Sequence, residues 1–343
     1  MRPSRSRLLR LFMVLLAATA LLLAFRSIDL VKTGALLHEV GPRALLILIP
    51  YGLAICVDTW AFTGLLRAKG ASVPVLRVIP VRLASEAVFN SMAGGTVVAE
   101  SLVPWILDQR QGIPLATSIA SGATRKRLFI LANGIYLAIG GIVGFQALDA
   151  ASQALTHTHL LPWLLGAAAV ALISVGIGVG VIFDRGRLAD RIRRLLGLIP
   201  IRAVRAWIDR HSHRFLEADA ELQKSGRTPW SVLLAPLGAY LVIWGTELSE
   251  TVLILRLLGV ELEIQAVFPM EMSTALVRSL AFFVPSGLGV QDVGYAAFLG
   301  AFGVPDAINV AFAFVILKRA KEIVYVSVGY LALYFTSKNK SAP

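Results

Sequence analysis

Long apolar segments separated by short polar connectors constrain the fold of this chain more than any other feature. A transmembrane helix needs about 20 predominantly apolar residues, and several stretches reach or approach that length. These stretches are residues 11–25, 44–66, 113–145, 160–183, 230–255 and 305–335. Because 57% of the residues are hydrophobic and only 16% are charged, the composition is that of a membrane protein and not of a soluble one. We therefore predict an all-α polytopic membrane protein with about six transmembrane helices.

The segment 282–294 interrupts this apolar pattern near the C-terminus with turn-forming residues and an acid. They are Pro285, Gly287, Gly289 and Asp292. Proline removes a backbone donor and glycine costs about 1 kcal/mol per helical position, so a continuous helix is disfavoured here. Broken backbone at membrane depth is tolerated only where protein or a water-filled cavity satisfies its polar groups. We interpret residues 266–302 as a re-entrant helical hairpin whose turn presents free backbone amides inside the bilayer.

Residues 78–107 show the same pattern in the first half of the chain. Two helical arms, 78–92 and 97–107, flank a break that contains Gly94 and Gly95, and Glu100 follows in the second arm. Each arm is shorter than the length needed to cross a membrane. A second re-entrant hairpin is therefore predicted at residues 78–107.

A shift of 192 residues relates the two halves of the chain. It places the hairpin and long-helix residues of the first half on those of the second: Gly95 on Gly287, Glu100 on Asp292, Lys126 on Lys318 and Arg127 on Arg319, while Asp58 falls on Glu247 with a slip of three. We predict two repeats, residues 44–147 and 230–336, with opposite orientation in the membrane. Transporters built from inverted repeats bind their substrates at the repeat interface near the midplane.

The charge distribution predicts the orientation. Residues 184–227 carry 11 Lys and Arg against 6 Asp and Glu, and basic loops lie on the cytoplasmic side. We predict a cytoplasmic loop there, which can also contact anionic lipid headgroups. Both termini are then cytoplasmic, in a bacterial inner (plasma) membrane. Nucleic acid is not an expected partner, because the basic residues lie in loops between spans.

Charged residues inside membrane spans cost at least about 2.5 kcal/mol and are candidates for function. The candidates for substrate binding are basic residues of the long helices with acids and turn residues of the hairpins: Arg127, Arg319, Lys126, Lys318, Glu100, Asp292, Gly94, Gly95, Pro285, Gly287 and Gly289. One interpretation is structural, with ion pairs from Arg127 to Glu100 and from Arg319 to Asp292. The other is that the two guanidinium groups face a cavity and bind a phosphate.

Further charged residues lie on the hairpin arms and on the preceding spans. Arg82, Glu86 and Asn90 share one helix face, as do Glu271 and Arg278. One interpretation is that the charges on each face neutralise one another. The other is that Arg82 and Arg278 contact the substrate. Acids that could orient the basic groups or carry coupling ions are Asp58, Glu86, Glu247 and Glu250.

No enzymatic or metal chemistry is expected. The clusters His157–His159 and His211–His213 lack further ligands at a recognisable spacing, and no nucleotide-binding, metalloprotease or nucleophile motif occurs. We predict no cofactor.

The stretch from Arg278 to Asp292, followed by Phe302-Gly303-Val304-Pro305 and Lys318-Arg319, resembles the flippase-like integral membrane family. That family includes the transmembrane region of lysylphosphatidylglycerol synthases. The segment from Asn90 to Arg127 resembles the family's other motif, although Ala93 stands where a proline is usual. The resemblance covers about residues 40–335, and the Gln291-Asp292 ending is closest to a hopanoid-associated branch.

The resemblance implies a lipid-translocating domain with two re-entrant hairpins and dimerisation. We expect translocation of an anionic, phosphate-bearing or isoprenoid lipid. Aminoacylation is not expected, since the chain stops eight residues after Phe335 without a soluble transfer domain. The alternatives are a small-solute or ion transporter and a non-transporting scaffold for a lipid-modifying enzyme.

Overall fold

The computed structural model describes residues 28–91, 95–185, 217, 220–224, 226–280 and 290–338. The side chains of residues 96, 97, 278–280, 290, 337 and 338 lie outside this description. The described residues form helices and connectors, without a β-strand. The helices are α1 (Leu30–Val40), a 3-10 helix (Gly41–Ile47), α2 (Leu48–Arg67), α3 (Val75–Ser91), α4 (Gly95–Gln111), α5 (Leu115–Val143), α6 (Phe145–Thr156), α7 (Leu160–Arg185), α8 (Trp230–Leu257), α9 (Ile264–Leu280), α10 (Val290–Ala301) and α11 (Ala307–Lys338).

Four segments of the described chain are long and apolar enough to cross a membrane. They are Leu30–Arg67, α5, α7 and α8, and they coincide with four of the six predicted spans. The helix α11, with 32 residues, lies on the predicted last span and carries a charged stretch near its middle. The predicted first span, residues 11–25, lies outside the described residues. The prediction of an all-α polytopic membrane protein is confirmed.

The two predicted hairpins correspond to two pairs of neighbouring helices. The pair α3 and α4 has 17 residues in each arm, and the pair α9 and α10 follows the same order in the second half. Gly95 begins α4 against the end of α3, where an added Cβ would lie 2.6 Å from the carbonyl oxygen of Val88 and 2.7 Å from that of Phe89. Only glycine permits this close approach. A re-entrant path of either pair stays a prediction.

The two halves of the chain are interleaved. The first arm of each hairpin packs against the long helix of the other half, α3 against α11 and α9 against α5, while α8 runs along α2. The main apolar core lies between these helices and includes Leu128, Tyr240 and Phe314. Because each long helix serves both halves, the charged residues of α5 and α11 lie at the interface between them.

Two segments outside the predicted spans and hairpins contain helices. The helix α1 precedes the second predicted span, and the Asp29 carboxylate caps its first turn by accepting hydrogen bonds from the backbone amides of Val31 and Lys32. The helix α6 lies between α5 and α7. Both helices carry an apolar side that packs on the rest of the molecule.

Candidate functional site

Three buried side chains from three helices meet at Asp58, which lies in α2. Arg82 of α3 contacts Asp58 Oδ2 through Nε at 2.8 Å and through Nη2 at 2.6 Å. Arg125 of α5 donates from Nε to Oδ1 at 2.8 Å and from Nη2 to Oδ2 at 3.1 Å. All three side chains are 7 to 12% exposed. One carboxylate therefore serves two guanidinium groups, and a single positive charge is left over.

Glu100 of α4 connects this buried cluster to the surface. Its Oε1 lies 3.5 Å from Arg125 Nη1 and 3.3 Å from Lys126 Nζ. The side chains of Glu100 and Lys126 are 37% and 45% exposed, in contrast to Asp58 and the two arginines. Since Glu100 and Lys126 cancel in charge, the whole group keeps the surplus positive charge.

A cavity of about 270 Å³ opens beside these charges, among α2, α3, α4 and α5. Arg82, Glu100, Arg125 and Lys126 lie in its wall, and the opposite lining is largely apolar, with side chains such as Phe62. Ser118 also lines the cavity, and its buried hydroxyl has no hydrogen-bond partner among the described residues. The cavity thus offers cations and an apolar wall to one small ligand.

Glu100 pairs with Arg125 and Lys126 of the basic run in α5, and not with Arg127. The predicted ion pair between Arg127 and Glu100 is wrong, because Glu100 contacts Arg125 and Lys126 instead. Residues two apart in a helix of 3.6 residues per turn project to nearly opposite sides. Arg125 therefore faces the cavity, whereas Arg127 faces α7, donates from Nε to the Gly176 carbonyl at 3.0 Å and lies against the indole of Trp230. The run of three basic residues marks this part of α5 as a candidate site, but the sequence does not show how the helix is rotated about its axis.

In the second half, Lys318 and Glu271 lie at the centre of a buried hydrogen-bonded network. Lys318 of α11 lies 3.1 and 3.2 Å from the two carboxylate oxygens of Glu271 in α9. Lys318 also donates to the Tyr295 hydroxyl at 2.7 Å, and Tyr295 donates to Glu271 at 2.8 Å. Thr251 donates to Glu271 at 2.6 Å and Gln291 to Tyr295 at 3.0 Å. Lys318 was predicted to contact the substrate, but here its ammonium is engaged with protein partners.

Arg319 and Lys321 of α11 form three more ion pairs. The predicted pair between Arg319 and Asp292 is confirmed, with a distance of 3.1 Å from Nη2 to Oδ1. Arg319 also contacts Glu322 at 2.8 Å. Lys321 lies 2.8 and 2.9 Å from the carboxylate oxygens of Glu250. Neither Lys321 nor Glu322 was identified from the sequence, because a charge on a long helix does not reveal its partner on another helix.

Tyr51 of α2 joins the two halves. Its hydroxyl donates to Glu86 at 2.7 Å, and the Lys321 ammonium lies 4.4 Å from the centre of its ring. Asn90 also donates to Glu86, at 3.3 Å. The predicted shared face of α3 is thus divided, since Arg82 contacts Asp58 while Glu86 and Asn90 contact each other and Tyr51.

The structure suggests a simpler correspondence between the acids of the two spans. A shift of 192 residues without a slip places Asp58 on Glu250, and both carboxylates hold buried cations. Glu247, which the slipped alignment selected, is half-buried one turn earlier on α8. The repeat boundaries themselves stay a prediction.

Several predicted site residues fall outside the described residues. They are Gly94, Pro285, Gly287 and Gly289, together with most of the basic loop 184–227. Arg278 lies in α9, and its side chain is not described.

The model of the lysylphosphatidylglycerol synthase TM region matches residues 10–318. The chain belongs to this family. No curated protein and no solved structure matches the chain.

Membership in the lysylphosphatidylglycerol synthase TM family agrees with the membrane-spanning helices and indicates a role related to membrane lipids. The matched range contains the complete cavity and the second-half network up to Lys318. Both charged clusters therefore lie within the part of the chain that the family shares. The hopanoid-associated branch stays a prediction.

Proposed function

We propose that this protein moves a phosphate-bearing lipid across the membrane and that the headgroup enters the cavity beside Arg82 and Arg125. One observation carries the proposal, namely a cavity with a surplus cation and an apolar wall in a member of a lipid-related membrane family. Guanidinium groups bind phosphate oxygens in a planar, two-pronged geometry. A volume of about 270 Å³ suits a headgroup, and the acyl or isoprenoid chains would remain in the bilayer.

Glu100 acts as the exchangeable partner in this proposal. Its carboxylate forms ion pairs with Lys126 Nζ and Arg125 Nη1. An entering phosphate competes for these donors, and Glu100 is exposed enough to rotate toward water. Asp58 keeps both arginines oriented throughout, so the site is preorganised before the lipid arrives. The lipid undergoes no chemical change.

The second-half network supplies the closed state of the proposed cycle. Glu271, Lys318 and Tyr295 are held together there, while the corresponding region of the first half is open. A cycle that exchanges open and closed arrangements between the two halves would move a headgroup from one membrane face to the other. We propose the bacterial inner membrane as the location, with both termini in the cytoplasm.

A non-transporting scaffold is the second candidate function. The saturated Glu271–Lys318–Tyr295 network favours it, because buried and fully partnered charges also serve to hold helices together. A scaffold requires no opening of this network and no passage of lipid.

Reconstituted liposomes test the proposal. Fluorescent phosphatidylglycerol and phosphatidylcholine are incorporated into separate vesicles, and an impermeant quencher reports the label that reaches the outer leaflet. In vesicles that contain the protein, we expect the quencher to reach more label than the fraction that starts in the outer leaflet. Quenching should proceed faster for labelled phosphatidylglycerol than for labelled phosphatidylcholine. Arg125→Gln and Lys126→Gln should each slow it by about tenfold, because each removes a charge-assisted hydrogen bond to the headgroup.

Arg67→Gln is the matched control, since Arg67 is an exposed cation at the end of α2, away from the cavity. This variant should transport as the unmodified protein does. Quenching equal to that of empty liposomes for both lipids would overturn the transport proposal and favour the scaffold. Equal slowing by all three variants would attribute the effect to overall charge and not to the cavity.

A further inference from the structure

We infer that Arg127 and Trp230 form a second, separate site for a phosphate headgroup, at the membrane boundary where α5, α7 and α8 meet. This site lies on the side of α5 opposite the cavity. It would hold a bound lipid and does not depend on the proposed transport function.

Arg127 is a buried cation, and no acid among the described residues pairs with it. It is 6% exposed, and among the described residues its contacts are the hydrogen bond from Nε to the Gly176 carbonyl and the ring of Trp230 at 5.3 Å. The Nη1 and Nη2 groups have no acceptor in this part of the chain. A buried charge is costly unless an opposite charge pairs with it, so the arrangement calls for an anion that the described residues do not supply.

Arg319, which the 192-residue shift relates to Arg127, has the acidic partners that Arg127 lacks among the described residues. Arg319 contacts Asp292 and Glu322. The 192-residue shift places Ile130 at the position of Glu322 and Glu100 at that of Asp292. Glu100 is engaged by Arg125 and Lys126 on another face of α5. Arg127 therefore lacks both acids that neutralise its counterpart.

Gly180 leaves room for the Arg127 guanidinium, and Trp230 indicates its depth in the membrane. A Cβ added at Gly180 of α7 would overlap the Arg127 guanidinium, so glycine is required for this packing. Gly180 lies five residues before the end of α7 at Arg185, which is about 7 Å along the axis. Trp230 is the first residue of α8 and is 48% exposed. Tryptophan is enriched at the level of the lipid headgroups, so Arg127 lies within reach of phosphates.

The ligand chemistry follows from these neighbours. An arginine with free Nη groups binds a phosphate through paired hydrogen bonds, and either a lipid headgroup or free phosphate could supply it. Exposed apolar side chains on the adjoining face of α7, Ile177 and Val181, offer a surface for an acyl chain. We therefore assign the phosphate to a lipid.

Quenching of tryptophan fluorescence by brominated lipids tests this site. The protein is reconstituted in two mixtures of phosphatidylglycerol and phosphatidylcholine. In the first mixture only phosphatidylglycerol carries bromine, on the part of its acyl chain nearest the headgroup, and in the second only phosphatidylcholine does. The difference between the unmodified protein and Trp230→Phe isolates the signal of Trp230. At equal mole fraction, we expect the occupancy of phosphatidylglycerol beside Trp230 to exceed that of phosphatidylcholine by about fivefold.

Arg127→Gln should abolish this preference, whereas Arg127→Lys, which keeps the charge, should retain part of it. Lys126→Gln, on the cavity side of α5, should leave it intact, which separates this site from the proposed transport site. Equal Trp230-dependent quenching by both lipids in the unmodified protein would overturn the inference even if the variants fail to fold. Loss of the preference on adding inorganic phosphate would show a site for free phosphate, and it would overturn the assignment to a lipid.

Discussion

Replacing Glu100 by glutamine should strengthen the binding of an anionic headgroup in the cavity among α2, α3, α4 and α5. The Glu100 carboxylate lies 3.3 Å from Lys126 Nζ and 3.5 Å from Arg125 Nη1. An entering phosphate must displace this carboxylate and then lies next to it. The amide of glutamine occupies the same space without the negative charge, so both the competition and the repulsion decrease.

The expected magnitude follows from the exposure of Glu100. Two unit charges 4 Å apart interact by about 1 kcal/mol in water and by about 4 kcal/mol at an effective dielectric constant of 20. Because the Glu100 side chain is 37% exposed, the value near that of water applies. A gain of about 1 kcal/mol lowers the Kd for the headgroup by about fivefold.

Titration calorimetry in detergent with short-chain phosphatidylglycerol measures this change. Asp306→Asn is the matched control, because Asp306 is an exposed acid that pairs with Lys32 at 3.2 Å away from the cavity. The control should leave the Kd unchanged, and salt should reduce the gain seen with Glu100→Gln. An unchanged or raised Kd for Glu100→Gln would refute the idea that Glu100 competes with the headgroup.

Three further predictions concern stability in detergent, measured as the shift in the unfolding transition. Asp58→Asn should destabilise the protein by about 3–5 kcal/mol, because it leaves two buried guanidinium groups without a carboxylate; a loss below 1 kcal/mol would mean that water reaches the cluster. Lys318→Met should cost a similar amount and the double variant with Glu271→Met clearly less, since the second change removes the unpaired charge; additive losses would contradict the pairing. Gly95→Ala should cost about 1–3 kcal/mol through overlap with the α3 carbonyls, and an unchanged midpoint would mean that the α3–α4 turn yields easily.

Two arginine pairings show how far residue spacing predicts contacts between helices. A spacing of 27 residues correctly predicted the pair between Arg319 and Asp292. The same spacing predicted a pair between Arg127 and Glu100 that does not form. That prediction failed because three consecutive basic residues of a helix point in three directions, and spacing alone does not show which of them faces α4. The contacts between Lys321 and Glu250 and between Tyr51 and Lys321 join residues far apart in the chain.

The sequence by itself determined the membrane class, the helical architecture and the presence of charges inside the spans. These properties depend on local hydropathy and on the backbone preferences of glycine and proline, which each segment carries alone. Only the tertiary structure decided which cation meets which acid, that Arg125 faces a cavity and that Lys318 is engaged by Glu271 and Tyr295. Those outcomes depend on the rotation of each helix about its axis, and that rotation is set by packing against helices from the other half of the chain.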